Sequence, residues 1–378
     1  MVQRKAQQYV TQAQDFLREY TAGLNVRDIR RLFDQDAAHA YKVLSRDRDE
    51  DSEPEEPTRR FFYRTKVVFL GLSYKLSPAR RILFVLCLVF ALLGLINPPT
   101  FDFVAERTEL HIDFSPFWFL AAIAGMLWLL IMELVDRVRV RDELEVARKL
   151  QSDLLPNESP EIEGWDFAHS YRTANEVGGD YYDLHILADG RLALLMADAS
   201  GHGIAAGLLM AISNATLKTA LDIDPEPQTV AALLNRTLCR TGDRRAFITL
   251  FYGLLDPATG TLDYVCAGHP FPLLRRAGGE LMELGTGTLP LGIRLDLEVP
   301  QSRVSIGHGD LLLLFTDGLP EAVNGPSGDS FTFQRLRELL ATIGSPAAIH
   351  DRILLAFDQH IGHEALTDDL TVMVVARS

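Results

Sequence analysis

Aspartates stand at the ends of several apolar runs in the second half of the chain. Asp198 closes "LLMAD", Asp317 follows "LLLLFT", and Asp368 and Asp369 come directly before "LTVMVV". Asp180 lies between a Gly-Gly pair and a bulky run, "YYD". A single aspartate in such a place is usually a turn or capping residue. Several that converged would repel one another, which a protein tolerates mainly when a cation lies among them.

This set of donors favours a hard divalent cation. Carboxylate oxygens without a matching group of His or Cys indicate Mg²⁺ or Mn²⁺ rather than zinc. Two such ions about 3.5–4 Å apart form a site that hydrolyses phosphate esters with an activated water, so that no nucleophilic side chain is required. Ser200 in "SGHG" does not fit the G-x-S-x-G nucleophile elbow. The sequence also has no Walker A or Rossmann glycine run.

The elements that must position these aspartates begin near residue 160. Short β-like runs recur there, punctuated by Gly, Pro and Asp. Helical stretches are predicted near 203–221 and 228–241, and another pair near 332–361. Strands grouped with pairs of helices, rather than strict β-α alternation, predict an α+β layered domain over residues 157–378.

Composition restricts the partners of this domain. The net charge is −14, and the acidic excess lies in residues 151–378, since residues 1–150 are close to neutral. Direct nucleic-acid binding needs a basic surface and is therefore not expected, whereas metal ions suit an acidic domain. The three cysteines show no pairing or ligand spacing, which predicts a reducing compartment.

Two apolar segments in the first half predict a transmembrane hairpin over residues 80–135, with spans at about 82–99 and 115–134. Each is somewhat short of the ~20 apolar residues that a span prefers, and a pair of buried core helices is the alternative. Basic residues flank the pair on its outer ends: Lys75, Arg80, Arg81, Arg137, Arg139 and Arg141. The connection, 97–116, is mainly acidic, which predicts that both termini lie in the cytoplasm. Residues 1–20 are charged throughout and predict no secretion signal.

The remaining segments are assigned by pattern. Residues 1–45 have helical periodicity, and 46–60 form a charge-dense linker without an apolar anchor. Residues 136–156 predict a linker helix that Pro156 ends. Five of its positions form a partly polar seam with a 4-3-4-3 spacing: Val140, Leu144, Ala147, Gln151 and Leu154. This short seam is compatible with a homodimeric coiled coil or with a simple spacer.

The ordered motifs resemble those of a known family. They are "ARKLQSDLLP", "EVGGDYYD", "ADASGHGIAAGLLM", "FITLFYGLLD", "AGHPFPLL", "LPLGI", "LLLLFTDGLPEA" and "TDDLTVMVV". Together they resemble bacterial serine phosphatases of the SpoIIE/RsbU type, which belong to the metal-dependent (PPM) serine/threonine protein phosphatases. The resemblance covers roughly residues 145–378 and leaves residues 1–143 outside it.

The resemblance implies a β-sandwich of two antiparallel sheets flanked by helices, with two Mn²⁺ or Mg²⁺ ions at one edge. It implies that Asp198 bridges both metals, beside the carbonyl of Ala199. Asp317 and Asp368 resemble the ligands of the second ion, and Asp180 resembles an acid near the site that acts through water. Gly318 is expected to permit a tight turn at Asp317.

Other residues near these motifs have two interpretations each. His202 is a candidate general acid or a residue that shapes its loop, and the second is favoured because a lone histidine lacks a positioned partner. His269 in "AGHPFPLL" is likewise expected to pack against the sandwich. Asp183 and Asp369 either support the metal ligands or are surface acids. An arginine that grips phosphate in eukaryotic relatives has no match near Asp180, where "NE" occupies the stretch.

The family also implies a function. We expect a phosphatase of phosphoserine and phosphothreonine that acts on an anti-anti-sigma (STAS-domain) protein and is anchored in the bacterial inner membrane. Its catalytic domain is then cytoplasmic, and the linker 134–155 relays a signal to the helix at about 204–221. The alternatives are a catalytically silent pseudophosphatase scaffold and, with the same metal chemistry, a phosphodiesterase or nucleotide hydrolase.

Overall fold

The structure is a computed structural model that describes residues 56–96, 101–105, 108–112, 114–156, 158–241, 246–324, 328–362 and 364–378. The chain divides into two compact units, Met1–Val138 and Arg139–Ser378. The predicted helical region 1–45 lies outside the described residues, as does most of the predicted linker 46–60. Residues 57–60 of that linker are helical and start the first described helix.

The described part of the first unit holds two complete helices, a short β-hairpin and the beginning of a third helix. They are α1 (Pro57–Lys75), α2 (Pro78–Leu95), β1 (Phe101–Ala105), β2 (Thr108–Ile112) and α3 (Ser115–Ser152), which continues into the second unit. Both α1 and α2 begin with proline, whose fixed φ and missing N–H suit a first helical position. Strands β1 and β2 pair antiparallel inside the segment that the sequence assigned to a plain connection. Their five residues each are too few for a period-2 pattern to stand out.

Within the first unit, α2 and the beginning of α3 are antiparallel neighbours. The guanidinium of Arg80, near the start of α2, lies 2.5 Å from a carboxylate oxygen of Asp136. Towards the other end, the rings of Phe90 and Trp118 lie with centroids 5.3 Å apart. The start of α2 thus contacts a position far along α3, and a position near the end of α2 contacts the start of α3. The two helices therefore run in opposite directions.

Within the described residues, three helices are long and apolar enough to cross a membrane: Pro78–Leu95, Ser115–Ser152 and Ile204–Ile223. In the first two, only 17% and 11% of the apolar window is buried inside the protein. In the third the share is 44%, and side chains such as Met210 and Leu217 belong to a core. Exposed apolar surface therefore makes α2 and α3 the candidates for spans, whereas Ile204–Ile223 is a core helix of the second unit.

The second unit contains two five-stranded antiparallel sheets. The first has the order β10-β7-β6-β5-β4, with β4 at Asp180–Ile186, β5 at Leu192–Ala199, β6 at Ile248–Asp256, β7 at Thr261–Ala267 and β10 at Gln301–Ser305. The second has the order β3-β12-β11-β8-β9, with β3 at Trp165–Arg172, β8 at Leu273–Arg275, β9 at Leu281–Glu283, β11 at Leu311–Phe315 and β12 at Leu370–Arg377.

In the described part of the second unit, four helices accompany the sheets. Helices α4 (Ile204–Ile223) and α5 (Pro227–Thr241) contact strands of the first sheet, and α6 (Phe333–Leu340) and α7 (Pro346–Ile361) lie with the second. The start of α7 is fixed by its sequence. The Ser345 hydroxyl accepts a hydrogen bond from the Ala348 N–H, and Pro346 occupies the first helical position.

Two apolar clusters show why β11 and β12 are continuous hydrophobic runs. Leu312 and Met373 belong to the cluster that also holds the first sheet and helices α4 and α5. Their neighbours Leu313 and Val372 belong to the cluster formed with α6 and α7. Successive side chains of a strand point to opposite faces, so a strand covered on both faces must be apolar throughout.

The predicted α+β class with two sheets and flanking helices is confirmed. The helices predicted near 203–221, 228–241 and 332–361 match α4, α5 and the α6–α7 pair. The predicted linker helix, 136–156, corresponds to the last part of α3, which ends at Ser152.

Candidate metal centre

Three of the predicted acids line one cleft at the edge of the two sheets. Asp198, Asp317 and Asp368 border a cleft of about 650 Å³, together with Ala199 and Thr249. Its other walls come from the loop after β5, the start of α4 and residues 246–247. Acids that are far apart in sequence are therefore brought to one solvent-accessible place.

Strand pairing explains this convergence. Asp180 begins β4 directly opposite Asp198 near the end of β5, because the two strands are antiparallel. In the second sheet, the end of β11 at Phe315 pairs with Val372 near the start of β12. The residues just beyond β11 and just before β12 therefore meet at the same edge. Each sheet thus contributes a strand end and a strand beginning to the cleft.

Gly318 is required for the second of these junctions. A Cβ at this position would lie 2.0 Å from the carbonyl oxygen of Asp369. The absence of a side chain lets the turn after β11 touch the chain before β12, which brings Asp317 towards Asp368. The φ of Gly318 is not positive, so no left-handed backbone conformation requires a glycine here. The requirement comes instead from the close approach of the two chain segments.

Asp180 is placed behind the cleft rather than in its lining. The side chain is 1% exposed, and its Oδ2 accepts hydrogen bonds from the hydroxyls of Thr316 at 2.7 Å and Thr371 at 2.5 Å. Thr316 follows β11 and Thr371 belongs to β12, so this carboxylate joins the first sheet to the second. Burial raises the pKa of Asp180 well above its usual value, and the charge of Asp198 acts in the same direction.

The acids in the cleft are electrostatically crowded. Burial raises the pKa of Asp198 to about 8, and the charges of Asp317, Asp368 and Asp369 contribute to the rise. Burial also raises the pKa of Asp317, with Asp368 and Glu321 as further causes. Among the residues that the structure describes, no Lys, Arg or His forms an ion pair with any of the three lining carboxylates. An added cation would relieve this repulsion, so the donor set fits a divalent metal.

The side chains are spread around the cleft rather than gathered at one point. Within the described part of the chain, no three Asp, Glu, His or Cys side chains form a group that would enclose a metal ion. Mg²⁺-type ions commonly keep several waters and use only one or two protein carboxylates. A metal bound in this cleft would therefore keep waters among its ligands, and the main-chain carbonyl of Ala199, which also lines the cleft, could supply a further oxygen.

Asp369 and Asp183 act within the fold and do not line the cleft. The Asp369 carboxylate accepts hydrogen bonds from the N–H groups of Ala174 at 2.8 Å and Gly179 at 2.5 Å, so it holds the loop that leads into Asp180. Asp183 is buried, accepts a hydrogen bond from the Tyr181 hydroxyl at 2.8 Å and pairs with Lys218 at 2.5 Å. Neither is a plain surface acid.

The two histidines lie in contrasting surroundings. His202 is exposed in the loop after β5 and is not among the residues that line the cleft. Its role as a general acid stays a prediction. His269 is 3% exposed, and its Nδ1 lies 2.9 Å from the hydroxyl of Thr249. Burial lowers the pKa of His269 to about 3, so the ring is neutral at physiological pH.

Sequence reasoning missed the polar residues that support the acids. Thr316 and Thr371 stand beside the predicted ligands in "FTDG" and "DDLTV", and a hydroxyl next to a buried carboxylate is the signal that could have identified them. Gln151 was assigned to a helix seam, yet it is buried against its own domain. Its side-chain amide donates to the Gly178 carbonyl at 2.6 Å and accepts from the Gly178 N–H at 3.0 Å.

Comparison with known proteins agrees with this geometry. Residues 188–378, just over half of the chain, match the profile of the family described as Stage II sporulation protein E (SpoIIE). The chain belongs to the SpoIIE family. The predicted resemblance to SpoIIE/RsbU-type proteins is thereby confirmed.

Individual relatives match the chain to different extents. Phosphoserine phosphatase RsbU of Bacillus subtilis (strain 168) is 31% identical over 188 residues, which cover 48% of this chain and 54% of RsbU. The SiaA-PP2C domain of Pseudomonas aeruginosa has a TM-score of 0.57 at 19% identity, and the match covers 64% of this chain and 99% of that domain. The PstP catalytic domain, solved with two manganese ions, matches 56% of this chain and 97% of its own, with a TM-score of 0.43 and 18% identity. The chain spans about half the length of the curated relatives it matches.

Proposed function

We propose that this SpoIIE-family chain is a metal-dependent protein phosphatase that removes phosphate from phosphoserine or phosphothreonine. The observation that carries the proposal is the cleft in which Asp198, Asp317 and Asp368 converge from separate strand ends without a cationic side chain among the described residues. The name of the relative RsbU, phosphoserine phosphatase, supports the same class of substrate.

Two divalent cations, Mn²⁺ or Mg²⁺, are the proposed cofactors. Asp198 would contact both, with the Ala199 carbonyl beside it, and Asp317 and Asp368 would hold the second. When bound, two such ions lower the pKa of a water and offset the charge of phosphate oxygens. Asp180 would act through water, because its side chain is buried and one of its oxygens already accepts two hydroxyl hydrogen bonds.

The protein's own residues prepare this site in two ways. The hydrogen bonds from the Thr316 and Thr371 hydroxyls to Asp180 hold the first sheet against the second. Because Asp198 belongs to the first sheet and Asp317 follows a strand of the second, these bonds help to fix the separation of the two carboxylates. The described residues that line the cleft include no Lys or Arg. A substrate phosphate would therefore meet an acidic wall unless cations were bound first, which predicts an absolute requirement for metal.

A phosphate-release assay tests the proposal. The full chain in detergent, given a phosphoserine peptide and Mn²⁺, is expected to release phosphate, and a chelator is expected to abolish release. Asp198→Asn should lower the rate at least about 100-fold, because the two ions supply several kcal/mol of charge stabilisation. The matched control is Asp296→Asn, the same exchange at an exposed loop position, which should leave the rate unchanged. Equal rates for Asp198→Asn and the wild type would contradict the proposal, and a folded wild type without metal-dependent release would favour the pseudophosphatase alternative.

We also propose that the chain is anchored in the bacterial inner membrane by α2 and the apolar part of α3. The support is their exposed apolar surface, their antiparallel contacts and the basic residues at their outer ends. Both termini and the phosphatase domain then lie in the cytoplasm.

Labelling of single cysteines in intact cells tests the topology. A cysteine at position 110 should react with an impermeant reagent and one at position 296 should not, and the reverse pattern would exclude this orientation.

The proposed substrate is an anti-anti-sigma protein with a STAS domain, which is the substrate that the family resemblance implies. Release of phosphate from a phosphoserine STAS protein should be at least tenfold more efficient than release from a short peptide of the same sequence. Equal efficiencies would show that the STAS fold is not recognised.

The end of α3 is a proposed relay into the phosphatase domain. Besides the Gln151–Gly178 pair, the side-chain amide of Asn214 in α4 donates to the Leu154 carbonyl at 3.2 Å and to the Tyr181 hydroxyl at 3.0 Å. Movement of residues 139–155 would thus reach both α4 and the loop before Asp180. Activity unaffected by deletion of residues 1–132 would count against this relay.

Homodimerisation through the seam at Val140 and Leu144 stays a prediction for sedimentation analysis.

A further inference from the structure

Thr249 and Ser200 are the two hydroxyl-bearing residues among the described residues that line the cleft, and the Ser200 oxygen already accepts a hydrogen bond from the Phe247 N–H. Thr249 lies on β6 directly opposite Asp198 on β5 and borders the same cleft as Asp317 and Asp368. Its hydroxyl is 3.5 Å from the main-chain carbonyl of Asp198, a long and weak contact. The residue therefore brings an uncharged hydrogen-bonding group to the place where a phosphate would bind.

The histidine behind Thr249 is placed there by a specific turn. Gly268, between β7 and His269, has a φ of +64°, and a Cβ there would lie 2.5 Å from the ring of Pro290. This turn carries His269 into the interior, where it is 3% exposed. Its Nδ1 lies 2.9 Å from the Thr249 hydroxyl, and its Nε2 is buried. The main-chain carbonyl of Phe315 also accepts from the ring, through a contact too poor in geometry to count as a standard hydrogen bond of Nε2.

A neutral imidazole has one N–H donor and one acceptor nitrogen, and a hydroxyl has one proton and two lone pairs. If Nδ1 carries the ring proton, it donates to the Thr249 oxygen. The hydroxyl proton of Thr249 then points away from the ring, and the weak contact to the Asp198 carbonyl leaves it available to a better acceptor.

We propose that Thr249 donates a hydrogen bond to a phosphoryl oxygen of the bound phosphoserine or phosphothreonine, and that His269 is the positioning residue that orients this hydroxyl. The inference rests on the proposed phosphatase function and adds a specific contact to it. Thr249 is a catalytic residue in this account because it touches the substrate, whereas His269 acts only through Thr249. No proton is transferred, since the pair supplies a donor to a phosphate whose charge the cations offset.

The test uses the full chain in detergent, saturated with Mn²⁺, and two readouts. The first is kcat/KM for a phosphoserine peptide, and the second is the dissociation constant of inorganic phosphate measured by calorimetry, which requires no turnover. Thr249→Val removes the hydroxyl and should weaken both by about 10- to 100-fold, the usual effect of losing a hydrogen bond to a charged group. Thr249→Ser keeps the donor and should stay within about threefold of the wild type.

The partner variants separate positioning from packing. His269→Asn retains a donor near the Nδ1 position and should retain phosphate binding, whereas His269→Leu should lose as much as Thr249→Val. The double variant Thr249→Val/His269→Leu should be no worse than either single variant, because both remove the same interaction. His185→Asn, at an exposed position of β4, and Thr261→Val, on β7, are the matched controls.

The outcomes are distinguishable. If Thr249 had only a structural role, Thr249→Val would have a lower melting temperature or would need more Mn²⁺ for half-saturation. Either change, with a phosphate affinity equal to that of the wild type, overturns the inference. Multiplicative losses in the double variant overturn the role of His269. A wild type that binds phosphate with this pattern of variants but releases none from the peptide would contradict the proposed function and leave the phosphate contact standing.

Discussion

Two buried or half-buried aspartates of the same domain have opposite surroundings. Asp310, in the turn before β11, accepts hydrogen bonds from the Gly307 N–H, the Arg276 guanidinium and the Ala277 N–H at 2.7–2.8 Å. Burial alone would raise its pKa, yet these partners hold the pKa below its usual value. Asp198, at the end of β5, has acids for neighbours, and burial together with their charges raises its pKa to about 8.

The comparison teaches what each carboxylate is for. Asp310 is satisfied by its own chain, so its ionised form stabilises the fold. Asp198 is not satisfied within the described part of the chain, and ionisation there works against the fold until a cation arrives from outside. Both are strand-end aspartates in the sequence, and only the partners supplied by the fold distinguish a structural acid from a candidate ligand.

The largest expected effect is that one aspartate variant loses activity but keeps its stability, whereas the matched variant loses stability but keeps its activity. Asp198→Asn should abolish Mn²⁺-dependent phosphate release while leaving the metal-free protein at least as stable as the wild type. Asp310→Asn should lower stability by about 1–3 kcal/mol, because it disrupts charge-assisted hydrogen bonds at a buried site. Its activity per folded molecule should stay close to that of the wild type. Denaturant titration with chelator present, beside the activity assay, measures both quantities, and similar losses of stability in the two variants would break the comparison.

A second prediction concerns pH in the absence of metal. Because the folded-state pKa of Asp198 is raised above the unfolded value of about 3.9, the folded protein holds a proton that the unfolded chain has lost between about pH 4 and pH 8. The contribution of this group to stability is therefore present at low pH and lost as the pH rises to about 8. The wild type with chelator should lose more stability between pH 5 and pH 8 than Asp198→Asn does. An equal pH dependence of stability in the wild type and in Asp198→Asn would show that the pKa of Asp198 is not raised in the folded protein.

The smallest expected effect lies at a distance from the cleft. Gln151→Ala removes both hydrogen bonds to Gly178, whose neighbour Gly179 donates to Asp369. We expect the Mn²⁺ concentration for half-maximal activity to rise by about 3- to 10-fold, because the loop before Asp180 loses a buried anchor. Gln359→Ala, at an exposed position of α7, is the control and should not change it. An unchanged metal requirement in Gln151→Ala would show that the linker does not support the site.

Much of the second unit was predictable because its signals are local. The runs "LLMAD" and "LLLLFTDG" are strands that end in acids, and antiparallel pairing then forces such ends together. Strands β1 and β2 were missed because each mixes apolar and charged residues over only five positions. Here the pairing partner, rather than the local pattern, decides the structure.

The supporting contacts were not predictable in the same way. Gln151 obeys the seam spacing, so nothing in its own helix shows that it faces Gly178. The hydrogen bond between His269 and Thr249 joins residues from two different strand ends, and only the fold brings them within 2.9 Å. Spacing predicts which face of an element a residue occupies, whereas the partner on that face depends on the tertiary arrangement.

The most direct test of the central claim is the stoichiometry of Mn²⁺ binding to the full chain, measured by calorimetry at pH 8. The account predicts two Mn²⁺ ions per chain for the wild type and for Asp310→Asn. For Asp198→Asn it predicts loss of measurable binding or an affinity at least tenfold weaker. Two ions bound with wild-type affinity by Asp198→Asn would contradict the assignment of the crowded strand-end acids as a metal centre.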